Sequence, residues 1–217
     1  MSYVKKPMAI ENKSFEIITN ELGEKVKEFT EDELKIVKRL IHTTADFEYA
    51  DIVEISKNAI ESGKKSIAEG NKIYCDTNMI VNGLSKKTME KWNVSAYCLV
   101  SDDEVVVEAK KRGLTRSMVG MEKAIKDEKT KIFLIGNAPT ALFTLMEAID
   151  KGYRPDLVVG VPVGFVGAED SKEKLRALDI PYIVTRGRKG GSTVAVATFH
   201  GILYDMYDRK GFLGEWF

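Results

Sequence analysis

The chain is expected to fold as an α/β protein: a doubly wound, mainly parallel sheet flanked by helices, with an N-terminal helical segment in front. Three observations predict this. Short apolar runs recur at 72–75, 95–100, 131–135, 157–163 and 181–184. Their apolar character is continuous rather than alternating, as in parallel strands buried on both faces. Amphipathic segments separate them, and such a β-α alternation closes through right-handed crossovers.

The first third of the chain reads as helical. Ile10, Ile17, Ile18 and Leu22 recur at helical spacing, with Ser14 and Phe15 among them. Thr30 precedes Glu31-Asp32-Glu33, a cap followed by acids at the positive end of a helix dipole. That helix carries Leu34, Val37, Leu40 and Ile41 on one face. A third helical pattern spans 51–67 and stops at Gly70-Asn71. Between and after the strands, helices are expected near 86–92, 104–111, 117–126, 140–150, 169–178 and 192–207. The leading helices would cover one face or an edge of the sheet. No internal repeat, low-complexity tract or linker interrupts the chain, so one domain is expected over residues 1–217.

Bulk properties narrow the function. A length of 217 residues suits one α/β domain. The 33 basic and 33 acidic residues cancel, which argues against a nucleic-acid binder but leaves room for a local basic pocket. Cys75 and Cys98 are too far apart for a Cys-x-x-Cys motif and lie in apolar runs, so buried reduced thiols are expected. Met1-Ser2-Tyr3-Val4-Lys5-Lys6-Pro7 lacks the apolar centre of a signal peptide. No uncharged stretch approaches the roughly 18 apolar residues of a membrane span. A cytoplasmic protein is expected, with no membrane partner.

Ligands of doubly wound folds bind beyond the carboxyl ends of the strands. Four segments fall there: Asp76-Thr77-Asn78, Gly136-Asn137-Ala138-Pro139-Thr140, residues 160–167 with their three glycines, and Arg186-Gly187-Arg188-Lys189-Gly190-Gly191-Ser192. The last is the most specific. Glycines let backbone N–H groups approach an anion, a helix N-terminus adds its dipole, and three cations stand beside it. It fits neither the Walker A pattern nor Gly-x-Gly-x-x-Gly. A flexible basic surface loop is the alternative on local reading. For Gly136–Thr140 and 160–167, simple turn-making is the alternative.

Histidine is scarce. His200 lies in the apolar pattern Val196, Phe199, Leu203 and Met206, where a core or helix-surface role is expected. His42 instead ends the helix that carries Leu34–Ile41 and opens the polar loop Thr43-Thr44-Ala45-Asp46. A helix C-terminus favours the imidazolium, and histidine is the side chain suited to donating a proton near neutral pH. Arg39, three residues earlier, shares its helical face. A purely dipole-capping histidine is the alternative. No His-x-x-x-His, Gly-x-Ser-x-Gly or clustered-cysteine pattern occurs, so metal hydrolysis and serine-type acyl transfer have no support.

Taken in order, these segments resemble the precorrin-8X methylmutase family, including its cobalt-precorrin-8 branch. The likeness is carried by Ile10-Glu11-Asn12-Lys13-Ser14-Phe15-Glu16-Ile17, Arg39-Leu40-Ile41-His42, Cys75-Asp76 with Met79, and Thr115-Arg116-Ser117. It continues through Gly136-Asn137-Ala138-Pro139-Thr140-Ala141-Leu142, 160–167 and 186–192, and so covers nearly the whole chain. The resemblance implies an isomerase of cobalamin biosynthesis that moves a methyl group from carbon 11 to carbon 12 of precorrin-8X or cobalt-precorrin-8. It places the proton donor on His42 and substrate contacts on Ser14, Arg39, Arg116, Arg186 and Arg188. Lys189 departs from the pattern, where some members have an apolar residue, and is expected to add charge to the cradle. No cofactor or metal site is implied, because any cobalt arrives within the corrinoid substrate. A homo-oligomer, most simply a homodimer, is implied as the assembly. Thr43-Thr44-Ala45-Asp46-Phe47 resembles the cobalt-using branch more. Two other readings stay open: a tetrapyrrole-binding carrier, and a phosphate-binding α/β enzyme using the 186–192 loop.

Overall fold

The computed structural model describes residues 7–206. Among these residues the strands are β1 (Val53–Ile55), β2 (Lys72–Cys75), β3 (Ala96–Tyr97), β4 (Thr130–Ile135), β5 (Leu157–Gly160) and β6 (Tyr182–Thr185). They form a single sheet in the order β1-β6-β5-β4-β2-β3, in which only the β1–β6 pair is antiparallel. The order turns around between β2 and β4: the chain passes outward from β2 to β3, then crosses back to β4 and continues to β5 and β6. That is the switch point of a doubly wound sheet, where a crevice opens at the carboxyl ends.

The helices are α1 (Pro7–Leu22), α2 (Glu31–Thr44), α3 (Tyr49–Ile52), α4 (Ala59–Ala68), α5 (Asn78–Gly83), α6 (Lys86–Lys91), α7 (Asp103–Arg112), α8 (Arg116–Lys126), α9 (Pro139–Asp150), α10 (Ala168–Arg176) and α11 (Ser192–Leu203). Strand periodicity sorts the core into two layers. Ile73, Cys75, Ile132, Leu134, Leu157, Val159 and Ile183 point to the face covered by α2, α4, α5 and α11. Tyr74, Phe133, Val158, Tyr182 and Val184 point to the opposite face, under α8, α9 and α10. None of the described helices is long and apolar enough to cross a membrane.

The packing that places His42 is that of α2 on α11. A capping box starts α2: the Glu33 amide donates to the Thr30 hydroxyl, and the Thr30 amide donates to the Glu33 carboxylate at 2.8 Å. Such caps are worth about 1 kcal/mol. Ile36, Val37, Leu40 and Ile41 are then fully buried against α11 and its neighbours. The close approach depends on Gly201, since a Cβ there would stand 2.9 Å from the Ile36 Cα. Helix α2 ends where Ala45 turns left-handed at φ 54° and returns its amide to the Ile41 carbonyl.

Two expectations need correction. The helical pattern over 51–67 is interrupted by β1. Val53 and Ile55 are β-branched and find an antiparallel partner in β6, and Ser56 adds two bonds to the Tyr182 backbone at 2.8 and 3.0 Å. Tertiary pairing outweighs the local period. The run at 95–100 yields only the two-residue edge strand β3, which pairs with β2 alone. Sequence reading also missed α5, a short helix capped by Thr77 just beyond β2. The last expected helix closes at Leu203, and its expected end at Tyr207 lies outside the described residues.

Candidate active site

His42 lies in the last turn of α2, exposed at the surface. Helix α1 crosses it: the Ser14 hydroxyl and His42 Nδ1 are 2.7 Å apart, and the Phe15 ring meets the imidazole edge-on with centroids 5.3 Å apart. A cavity of about 550 Å³ opens beside them, lined by Ile10, Ser14, Ile17, Ile41, His42 and Phe47. Arg39, one turn earlier, is held between two rings, 5.3 Å from Phe15 and 4.8 Å from Tyr204, and donates to Glu11 at 3.0 Å. A second cavity of about 220 Å³ joins Arg39 and Thr43 to Ser192 and Thr193 at the start of α11. Ser14, Arg39 and His42 are therefore one cluster, and that cluster borders the N-terminus of α11.

At the switch point, Asp76 follows β2 and is 1% exposed. It accepts the amides of Gly136, Asn137 and Ala138 at 3.0, 2.8 and 2.6 Å. Burial pushes its carboxyl up, against the pull of these three donors. Thr77 next to it meets Ser192 at 3.0 Å, hydroxyl to hydroxyl. The ends of β2 and β4 and the start of α11 are thus bonded across the crevice.

The 186–192 loop is stitched to its surroundings. The Arg186 amide donates to the Ile52 carbonyl at 2.8 Å, and its guanidinium donates to the Asp51 carbonyl. The Gly191 amide reaches Val161 O at 2.9 Å, and the Gly164 amide reaches Arg188 O at 3.2 Å. These bonds tie the loop to the segment after β5 and to the residues before β1. Arg188 is exposed, with its guanidinium 5.4 Å over the Phe165 ring. Phe165 and Val166 are themselves 85% and 89% exposed. Lys189 does not add charge to a cradle as expected. It pairs with Asp46 and Glu48, which hold its ammonium charged and tie the loop to the segment after His42.

Arg116 opens α8 on the same rim, where Thr115 meets Thr140 at 3.2 Å, but no described contact joins it to His42 or Arg188. His200 also lines the smaller cavity. Its Nε2 accepts the Ser85 amide at 3.1 Å, which leaves that nitrogen no proton to give. Cys75 is buried and Cys98 half-buried, both free thiols. Among the described residues no group of three or more His, Cys, Asp or Glu side chains is arranged for a metal ion. Sequence reading missed Glu11 as the partner of Arg39, and it missed Lys172, which is fully buried in α10 beneath the loop. Neither has a local signal, since each looks like one more charge on an amphipathic helix.

Fold and site together define the class: an α/β enzyme of the doubly wound type, with histidine, serine and arginine gathered at the carboxyl edge of its sheet. Comparison with known proteins narrows it further. A family model described as precorrin-8X methylmutase matches residues 9–205. The chain is similar to the cobalt-precorrin-8 methylmutase of Leptospira interrogans, 44% identical over 203 residues, covering 89% of this chain and 91% of that one. It is 45% identical over 198 residues to the cobalt-precorrin-8 methylmutase of Priestia megaterium, with 91% and 87% covered. The crystal structure of a precorrin-8X methyl mutase from Thermus thermophilus matches with a TM-score of 0.85 at 40% identity, covering 92% of this chain and 96% of that one. The chain belongs to the precorrin-8X methylmutase family, and it is an isomerase of cobalamin biosynthesis.

Proposed function

We propose that this enzyme moves the methyl group from carbon 11 to carbon 12 of precorrin-8X or cobalt-precorrin-8, giving hydrogenobyrinate or cobyrinate, with His42 as the proton donor. The observation that carries the assignment is the 2.7 Å contact between Ser14 and His42 Nδ1. In the imidazolium, Nδ1–H donates to the Ser14 hydroxyl, which orients the ring and leaves Nε2–H to be given up. After the transfer, bare Nε2 can take the proton back when the product forms. Protonating a ring nitrogen makes the conjugated macrocycle electron-poor and lowers the barrier to a 1,5-sigmatropic shift. The C11–methyl bond breaks as the C12–methyl bond forms, and the π electrons shift along the conjugated path. No group leaves the substrate and no electrons enter it, so the reaction takes no cofactor, and cobalt, when present, is part of the substrate.

The substrate carries acetate and propionate carboxylates around its edge, and guanidinium groups suit them. Arg39, Arg116, Arg186 and Arg188 are proposed as those contacts; both loop arginines are exposed, and Arg186 is partly engaged by the Asp51 carbonyl. A carboxylate arriving at Arg39 must share it with Glu11. Phe165 and Val166 offer apolar contact to the flat ring. The 44% and 45% relatives are both named for the cobalt-bearing substrate, which with the Thr43–Phe47 segment favours cobalt-precorrin-8. The same reading makes this a cytoplasmic homodimer with one domain over residues 1–217.

Incubation with the corrinoid tests the reading. A methylmutase shifts the absorption spectrum, a carrier binds without a spectral change, and a phosphate-binding enzyme ignores the compound. Positioned general acids contribute about 10²–10⁴-fold, so His42→Ala should lose at least about 10²-fold in kcat. It should still bind product-like corrinoid within about tenfold, or about 1.4 kcal/mol. Normal turnover by His42→Ala beside a dead His200→Ala would assign the proton to the wrong ring. Activity in both variants would leave His42 as no more than a helix cap.

A further inference from the structure

Beneath the glycine-rich loop lies a buried charge that the proposed reaction does not use. Lys172, in α10, is 0% exposed. Its ammonium donates to the Lys189 carbonyl at 2.9 Å and meets Thr185 Oγ1 at 3.5 Å. The Thr185 hydroxyl donates to that same carbonyl at 2.7 Å. One loop carbonyl thus takes two donors, both from fully buried side chains. Burial without a close carboxylate disfavours the ammonium and pulls its pKa down to about 8, with Glu169 and Glu173 acting only at a distance. An apolar side chain would fill this space at less cost. What the lysine supplies, and a methyl group does not, is a hydrogen bond to the loop.

The neighbouring contacts work in the same sense. Arg188 O is held by the Gly164 amide, and the Gly191 amide by Val161 O. Gly190 comes so close to Val161 that a Cβ would stand 2.1 Å from its carbonyl oxygen, so only glycine allows this path. The peptide that follows Arg188 is held through its carbonyl, and the next two through the Lys189 carbonyl and the Gly191 amide, so the backbone that carries the Arg188 side chain is anchored on that side.

We propose that Lys172 is a positioning residue for substrate recognition: with Thr185, it anchors the Lys189 carbonyl, sets the backbone of the 186–191 loop, and so aims Arg188 at a substrate carboxylate. The role of Arg188 rests on the function proposed above, whereas the anchoring of the loop does not.

Lys172→Met, Thr185→Val and the double variant test this by amide hydrogen exchange over 186–191 together with steady-state kinetics on the corrinoid. Each single variant should speed exchange at Gly191, whose amide is bonded to Val161 O, by about tenfold or more. Each should raise KM about fivefold while keeping kcat within about twofold. The double variant should be little worse than either, because both side chains act on one carbonyl. Unchanged exchange in the folded single variants overturns the anchoring. Faster exchange with unchanged KM, while Arg188→Ala raises KM, overturns the link from loop to recognition. Unchanged KM in Arg188→Ala as well refutes the carboxylate role of Arg188 and leaves the anchoring supported by exchange. Should Lys172→Met fail to fold, Thr185→Val makes the same test with Lys172 in place.

Discussion

Replacing Lys172 with methionine should make the stability difference between variant and parent depend on pH. The parent keeps a fully buried ammonium whose pKa lies at about 8, below the ordinary lysine value of 10.5. A base with a lowered folded-state pKa binds fewer protons folded than unfolded, so stability is flat below about pH 8 and rises with pH from there to about 10.5. Evaluated between pH 7 and pH 10, those two pKa values give a gain of about 2–3 kcal/mol. Methionine is of similar length, fills the site and does not titrate. Every other ionisable group is present in both proteins, so the difference between them isolates Lys172. Urea unfolding of parent and variant at pH 7 and at pH 10 is the measurement, and the parent should gain about 2–3 kcal/mol on the variant at the higher pH. A difference that stays constant within about 0.5 kcal/mol would mean that Lys172 is solvated in solution, and the burial argument fails.

Arg188→Ala should raise KM far more than it lowers kcat, and affinity should fall as salt rises, because the carboxylates it meets are unchanged during the methyl shift; normal affinity with a collapsed kcat rejects the assignment. Dialysed, chelator-treated enzyme should turn over at an unchanged rate, and restoration of a lost rate by S-adenosylmethionine, a nucleotide or a free metal ion would defeat the intramolecular mechanism. Gly190→Ala should force the loop away from Val161, whose carbonyl oxygen stands 2.1 Å from the new Cβ. A raised KM and a loss of about 1–3 kcal/mol in unfolding free energy are expected, and an unperturbed variant would show that the loop does not pack as described.

Much of the architecture was legible in the chain before any coordinates. All five apolar runs contain a parallel strand, though the 95–100 run gives only the two residues of β3, because a strand buried on both faces needs nothing but apolar residues to declare itself. The Thr30 cap, the break at Gly70 and the helix opening at Ser192 are local chemistry, and each stands where it was expected. His42 could be singled out because a helix end and a scarcity of histidine are both sequence properties. The motifs from Gly136 and from Arg186 could be placed on the sheet rim for the same reason.

What the chain alone did not decide are the relations between distant segments. Val53–Ile55 reads as helix until β6 offers it an antiparallel edge, and no local rule weighs that partner. The Asp76 carboxylate is one acid among 33 until β2 and β4 lie side by side and bring three amides onto it. Lys189 belongs by sequence to a basic loop, yet its charge is satisfied by Asp46 and Glu48, more than 140 residues earlier in the chain. Lys172 is the sharpest case. Its helix is strongly charged, so the sequence offers it to solvent; only the packing of α10 under the loop buries it and turns an ordinary surface lysine into a prop for the Lys189 carbonyl. Hydrophobic period and caps are set by near neighbours along the chain, whereas burial of a charge and its partner depend on which segments the fold brings together.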